Sequence, residues 1–235
     1  MIRNNKSSYF LLVLFIAFSC AQPNSKKQIV KADTPDFNLK IEPVNELAYS
    51  KSLEKTVAVI QKAIETADTN LLFTVMDSNV IVSHGGAEYG FKIFKQHWKN
   101  NTTDLWLLLD HLLSLGGCFI NDSASFAFPY CNNDKYYKKI GGDWYSLGVC
   151  TKANTPFYIE PQFDSKMFDS LNHAIFNRVL GHRQYDKNGF YKVKIAGTHT
   201  IGYLHAEDVY VTNDYSLHLT KSSNNWLITS FAVYD

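Results

Sequence analysis

The sequence predicts an α+β protein: an N-terminal α-rich segment, then a small β-barrel carrying an additional C-terminal β-hairpin. Three observations lead there. Apolar residues recur at three- and four-residue spacings from Leu53 into the run ending at Leu115. After Cys118 they shorten to brief alternating runs separated by Gly, Asn and Ser. Aromatic residues form 14% of the 235-residue chain, and flat rings suit pleated surfaces.

The chain opens MIRNNKSSYFLLVLFIAFSCAQ. Arg3 and Lys6 precede an apolar run from Tyr9 to Ser19, which at about 1.5 Å per residue falls well short of a ~30 Å hydrocarbon core. It fits the apolar region of a signal peptide over residues 1–19. The run ends in Ala17-Phe18-Ser19-Cys20, which resembles the lipobox of bacterial lipoproteins, with Phe18 a departure at the middle position. The resemblance implies a lipidated Cys20 as mature N-terminus, and several acyl chains suffice for stable membrane anchoring. Residues 20–50, with Pro23, Pro35 and Pro43 among polar side chains, read as a flexible tether. No acidic run follows Cys20, so a periplasm-facing, lipid-anchored envelope location is expected.

An α-rich domain is expected over 51–135. Ser52 is a candidate N-cap for a helix striped by Leu53, Val57, Ile60, Ile64 and Ala67. Leu71, Leu72 and Val75 suggest a short second helix, and Asn79–Ser83 a strand stopped by Gly85-Gly86. Phe91, Phe94, Lys95 and Trp98 give another helical face. Asp104 can cap Leu105–Leu115, apolar on nearly all sides and therefore expected to be a central buried helix. A β domain is expected over 140–235. Its strand candidates, taken with those just after Cys118, are 118–120, 125–128, 143–150, 155–159, 174–180, 190–195, 200–205, 215–219 and 226–233.

Part of this second domain resembles bacterial SH3-like domains. Gly148-Val149, Asn154, Phe157, Pro161, Met167-Phe168 and Leu171 fall in the family's order, as do Tyr191-Lys192-Val193 and Gly202-Tyr203-Leu204-His205. The match spans 143–211, with Tyr158 where the family usually has arginine and Pro156 interrupting a strand. The barrel is therefore expected to be a divergent SH3-like β-barrel. The resemblance implies a binding face of Trp144, Tyr145, Tyr158, Tyr203 and His205 for a cell-wall peptide or an envelope protein. Alternation across Ala196-Gly197 leaves open which way Tyr203 faces. The whole chain resembles small envelope lipoproteins of the Bacteroidota through Trp106, Gly116, Gly117, Phe119, Phe128, Pro129, Tyr130, Trp226 and Phe231.

Net charge is +1, from 23 basic and 22 acidic side chains, which argues against nucleic-acid binding. No HExxH, Gly-x-Ser-x-Gly or Walker pattern occurs, and no cofactor or metal is expected. Cys118, Cys131 and Cys150 have no metal-clamp spacing and read as buried thiols. His205, Glu207 and Asp208 read as a solvated loop. Ser83-His84-Gly85-Gly86 reads as a tight connection; alternatively His84 and Glu88 stand at a pocket mouth, as in cone-shaped folds of the nuclear-transport-factor-2 type. The leading expectation is a non-enzymatic binding or scaffold lipoprotein. Its rivals are a hydrolase-like enzyme using His84, Glu88 or His205 in a cleft between the halves, and a purely structural interaction protein.

Overall fold

In the computed structural model, which describes residues 39–86, 88–121, 123–133, 137, 144–179 and 186–233, helix formation begins at Ser50 rather than Ser52. All of these residues belong to the unit Pro35–Asp235; the expected signal peptide and Cys20 lie outside them. Ser50 Oγ accepts from Leu53 N at 3.3 Å, capping α1 (Lys51–Thr66), which ends on Ala67 in the left-handed region. Asp68 then accepts from the amides of Asn70 and Leu71 and starts α2 (Thr69–Phe73). The first half continues through β1 (Met76–Ser83), β2 (Glu88–Tyr89), α3 (Phe91–Trp98), α4 (Thr102–Ser114), β3 (Cys118–Phe119) and β4 (Ser125–Phe128). The second half comprises β5 (Leu147–Cys150), β6 (Thr155–Tyr158), β7 (Met167–Leu171), β8 (Ile175–Arg178), β9 (Phe190–Ile195), β10 (Ile201–His205), β11 (Val209–Val211), β12 (Ser216–Ser222) and β13 (Asn225–Ala232).

These strands form two open sheets and no closed barrel, which corrects the expected architecture of an α-rich segment followed by an SH3-like barrel. The first sheet runs β2-β1-β13-β12-β4-β3, and the second β11-β5-β8-β9-β10-β6-β7. The second sheet is antiparallel throughout, and its end strands β11 and β7 do not meet. The C-terminal hairpin β12–β13 is no appendage of that sheet. It supplies the centre of the first one, where β13 runs parallel to β1 and β12 antiparallel to β4. The whole second sheet is thus built between β4 and β12, which are neighbours in the first. The helices are partners of a sheet, not a separate N-terminal layer: α1 packs on β13, α3 on β1 and α4 on β12.

The packing follows from the pattern of side chains. Leu53, Val57 and Ile60 of α1 share one core with Phe126, Phe128, Leu217, Leu219, Ile228 and Phe231. Trp226 Nε1 donates to Ser52 Oγ at 3.2 Å, and Thr56 Oγ1 donates to the Trp226 carbonyl at 3.3 Å. The run Leu105–Leu115 does not become a helix buried on all sides. Leu105, Leu109 and Leu112 are buried, while Leu107 stays 64% exposed. A second core fills the inner face of the second sheet with Phe157, Phe176, Val193, Ile195 and Leu204. Pro156 is accommodated because it lies opposite Ser170 of the end strand β7, whereas the pairing with β10 is made at Tyr158. Residues 39–41 lie against the second sheet, with Ile41 N donating to His173 O and Ile175 N to Leu39 O. Among the described residues no helix is long and apolar enough to cross a membrane.

Candidate functional site: an aromatic face on the second sheet

Gly202 and Leu204 of β10 turn into the second core, so Ile201, Tyr203 and His205 turn outward. That settles the orientation of Tyr203. It stands opposite Tyr158 on β6 and Lys192 on β9, while His205 stands opposite Phe190 and Ile201 opposite Lys194. Of the side chains the sequence singled out, Tyr158, Tyr203 and His205 therefore share one face.

A residue that sequence reasoning passed over completes this face. Phe163, in the loop between β6 and β7, lies over it with ring centroids 5.1 Å from Phe190, 4.8 Å from His205 and 6.3 Å from Tyr158. The loop is held by Ile159 N donating to Lys166 O, Glu160 N donating to Ser165 Oγ, and Asn188 Nδ2 donating to Pro161 O. Covered in this way, Phe190 is 1% exposed, yet Phe163 remains 64% exposed. On β7 Met167, opposite Tyr158, is 51% exposed, whereas Phe168, 50% exposed, has its ring 5.4 Å from Phe157 of the inner core; among the described residues β7 pairs with β6 alone. Large apolar side chains grouped at an open strand edge are uncommon on a surface that has nothing to bind. The signal that could have found Phe163 was its place in a polar loop, Pro161-Gln162-Phe163-Asp164-Ser165, where a core role was improbable by pattern alone.

The remaining candidates lie elsewhere. Tyr145 is in a short turn before β5, and strands β8 and β9 separate β5 from β10. Its carbonyl accepts from Arg178 Nη2, which ties it to the inner side of the sheet. The side chain of Trp144 lies outside the description. Of the His205 cluster, Glu207 Oε2 is 4.0 Å from His205 Nδ1, whereas Asp208 accepts from Lys152 Nζ at 2.8 Å. His84 follows the end of β1, Glu88 pairs with Ser83 in the first sheet, and His205 lies in the second sheet.

His84 instead meets Ser230, with Nε2 and Oγ 3.3 Å apart, and Ser230 faces His218 across the β12–β13 ladder. Burial, aided by the nearby His84, pushes the His218 imidazole down to about 4. Asn132 Nδ2 lies 3.3 Å from His218 Nε2 and can donate there only while that nitrogen carries no proton. The folded pKa lies below the unfolded value, so the stability it gives is complete above about 6.5 and is lost as pH falls towards 4. Unfolding measured by urea between pH 7 and pH 4 is expected to lose about 3 kcal/mol from this group. A His218→Asn variant is expected to flatten that part of the profile.

Two open volumes lie among the described residues away from this face. One, of about 330 Å³, lies beside Arg178, Tyr191, Asn213 and Tyr215. The Arg178 side chain is buried there, with Nη2 donating to Asn213 Oδ1 at 2.9 Å and the guanidinium 5.8 Å from the Tyr191 ring centroid. The other, of about 530 Å³, opens between α3 and α4. Among the described residues no group of three or more His, Cys, Asp or Glu side chains is placed to hold a metal ion. Cys118, Cys131 and Cys150 are buried and no disulfide joins them. Burial raises the Cys150 thiol to about 12 and that of Cys131 well above its usual range, so both remain protonated and poor nucleophiles. No protein-family model, no curated protein and no solved structure matches this chain.

Proposed function

We propose that the chain is a non-enzymatic binding module of the bacterial cell envelope, anchored through lipid on Cys20, which takes an extended peptide along the β7 edge. The observation that carries the reading is the grouping of exposed Phe163 and Met167 beside that edge, continuous with Tyr158, Tyr203 and His205. The open edge supplies backbone donors and acceptors to an added strand, and the rings supply apolar contact for alternate side chains. Aromatic anchors of this kind carry a disproportionate share of binding energy. The peptide is either a cell-wall stem peptide or a segment of an envelope protein, which share this chemistry.

The test is retention of the full-length protein on purified sacculi, on sacculi stripped of stem peptides, and on an immobilised envelope-protein extract. Retention on intact but not stripped sacculi identifies the cell-wall source, and retention on the extract alone identifies a protein. In either case Phe163→Asp and Met167→Asp are each expected to weaken retention about tenfold or more. Wild-type retention no higher than that of a control protein on all supports, or retention indifferent to both substitutions, overturns the reading.

A further inference from the structure

We infer, on the basis of the peptide site proposed at β7, that its occupant is cationic: an arginine- or lysine-bearing segment of an envelope protein. The stretch from Glu160 to Ser170 forms the loop over the aromatic face and almost all of the edge strand. It carries three carboxylates, Glu160, Asp164 and Asp169, against one ammonium, Lys166, and all four residues are exposed. The whole chain has net charge +1, so this negative stretch is a local feature. Among the described residues none of the four takes part in an ion pair. Glu160 Oε2 accepts from Gln162 Nε2 at 3.1 Å, and Asp169 Oδ1 accepts from Ser170 N at 2.8 Å. Each carboxylate keeps a second oxygen for a further donor. Other cations of the second sheet do not neutralise them. Lys192 and Lys194 stand on β9, with β10 and β6 between them and β7. Lys187, in the turn whose Asn188 donates to the Pro161 carbonyl, adjoins Asp186, and those two charges offset each other.

A strand added to β7 lies about 4.8 Å from it and sets its side chains about 5 Å from those opposite. A lysine or arginine facing Asp169 is therefore within ion-pair reach, whereas an acidic residue there meets like charge. Phe163 is 64% exposed and Asp164 follows it in sequence, so the loop offers a ring face and a carboxylate together. A guanidinium suits both. Edge strands are commonly defended by lysine, but Met167–Leu171 has none, and its one charge is Asp169. Two copies meeting edge to edge would bring two negative stretches together, which disfavours this chain as its own partner. A ligand that brings carboxylates of its own is disfavoured for the same reason.

The probes are a blocked hexapeptide alternating arginine with valine and its counterparts with glutamine or glutamate in place of arginine. Each is titrated into full-length protein and followed by fluorescence anisotropy. The arginine peptide is expected to bind about tenfold more tightly than the glutamine peptide, and the glutamate peptide most weakly. Asp164→Lys combined with Asp169→Lys, both at exposed positions, is expected to reverse that order. Phe163→Ser is expected to weaken the arginine peptide about tenfold. Equal affinity for the three peptides, with Phe163→Ser still weakening them, overturns the cationic occupant and leaves the peptide site standing. An arginine preference indifferent to Phe163→Ser and to the double substitution places the binding elsewhere and overturns both. Retention on intact sacculi alone in the assay above assigns the edge to a stem peptide. Self-association that competes with the arginine peptide assigns it to a second copy. Either result, or no binding by any of the three peptides, overturns the cationic protein segment.

Discussion

Replacing Gly202 with valine is expected to destabilise the second sheet by about 3 kcal/mol or more and to abolish its aromatic face. A Cβ at this position would stand 2.6 Å from Phe157 Cε2 and 2.6 Å from the carbonyl oxygen of Tyr158. The first contact is with a ring packed at 0% exposure, and the second is with backbone, which cannot move without disturbing the β6–β10 pairing. Position 202 is thus a place where one strand passes directly over a side chain of the next, and only a residue without Cβ allows it. The same substitution displaces Tyr203, so the loss of fold and the loss of binding should come together. Urea unfolding measures the effect. Combining it with Phe157→Ala should cost less than the sum of the two single changes, because removing the ring relieves one of the two clashes. A Gly202→Val protein of wild-type stability would show that β10 does not pass over Phe157.

Trp226→Ala is expected to cost about 4 kcal/mol, the range for deleting a buried tryptophan. The side chain is 1% exposed, lies 6.1 Å from the Phe119 ring centroid, and donates to Ser52 Oγ, while its carbonyl accepts from Thr56. The two hydrogen bonds join the C-terminal hairpin to the first helix across at least 170 residues of sequence. The prediction therefore reaches beyond magnitude. Amide exchange of α1 should accelerate together with that of β12 and β13, since the three share one core. Trp226→Phe should restore most of the loss, leaving the missing hydrogen bond to Ser52, about 1 kcal/mol. If Trp226→Ala left α1 exchange unchanged in thermally matched samples, the hairpin would not be part of the helical layer.

Local features were legible in the sequence, and long-range pairing was not. The α1 stripe of Leu53, Val57 and Ile60, the helical face of Phe94 and Trp98, and most strand positions follow from periodicity, because helix and strand each fix which neighbours share a face. Alternation tells that Leu217, Leu219, Trp226 and Ile228 are buried. It carries no information on which strand lies beside them, and so the sequence alone joins the hairpin to its nearest strands in the chain, whereas the structure pairs it with β1 and β4. The short strands β7 and β11 were missed for a related reason. The β7 side chains Met167 to Ser170 are exposed and show no burial alternation, and β11 has three residues buried in succession. At the candidate site, Tyr158, Tyr203 and His205 were visible as aromatic and polar residues in alternating runs. Their assembly with Phe163 was not, since a loop phenylalanine declares its partners only in three dimensions. Only residue type connects Trp144 and Tyr145 with the face, and strand order separates Tyr145 from it.

Hydrogen exchange at β7 tests the binding account most directly. Mass spectrometry would follow the amides of Met167–Ser170 in the full-length protein, alone and with the stem-peptide or envelope-protein fraction that the retention assay recovers. The account predicts slowed exchange there on addition of that fraction, with the slowing lost in Phe163→Asp. Unchanged exchange over Met167–Ser170, with protection arising elsewhere on the protein, would contradict it.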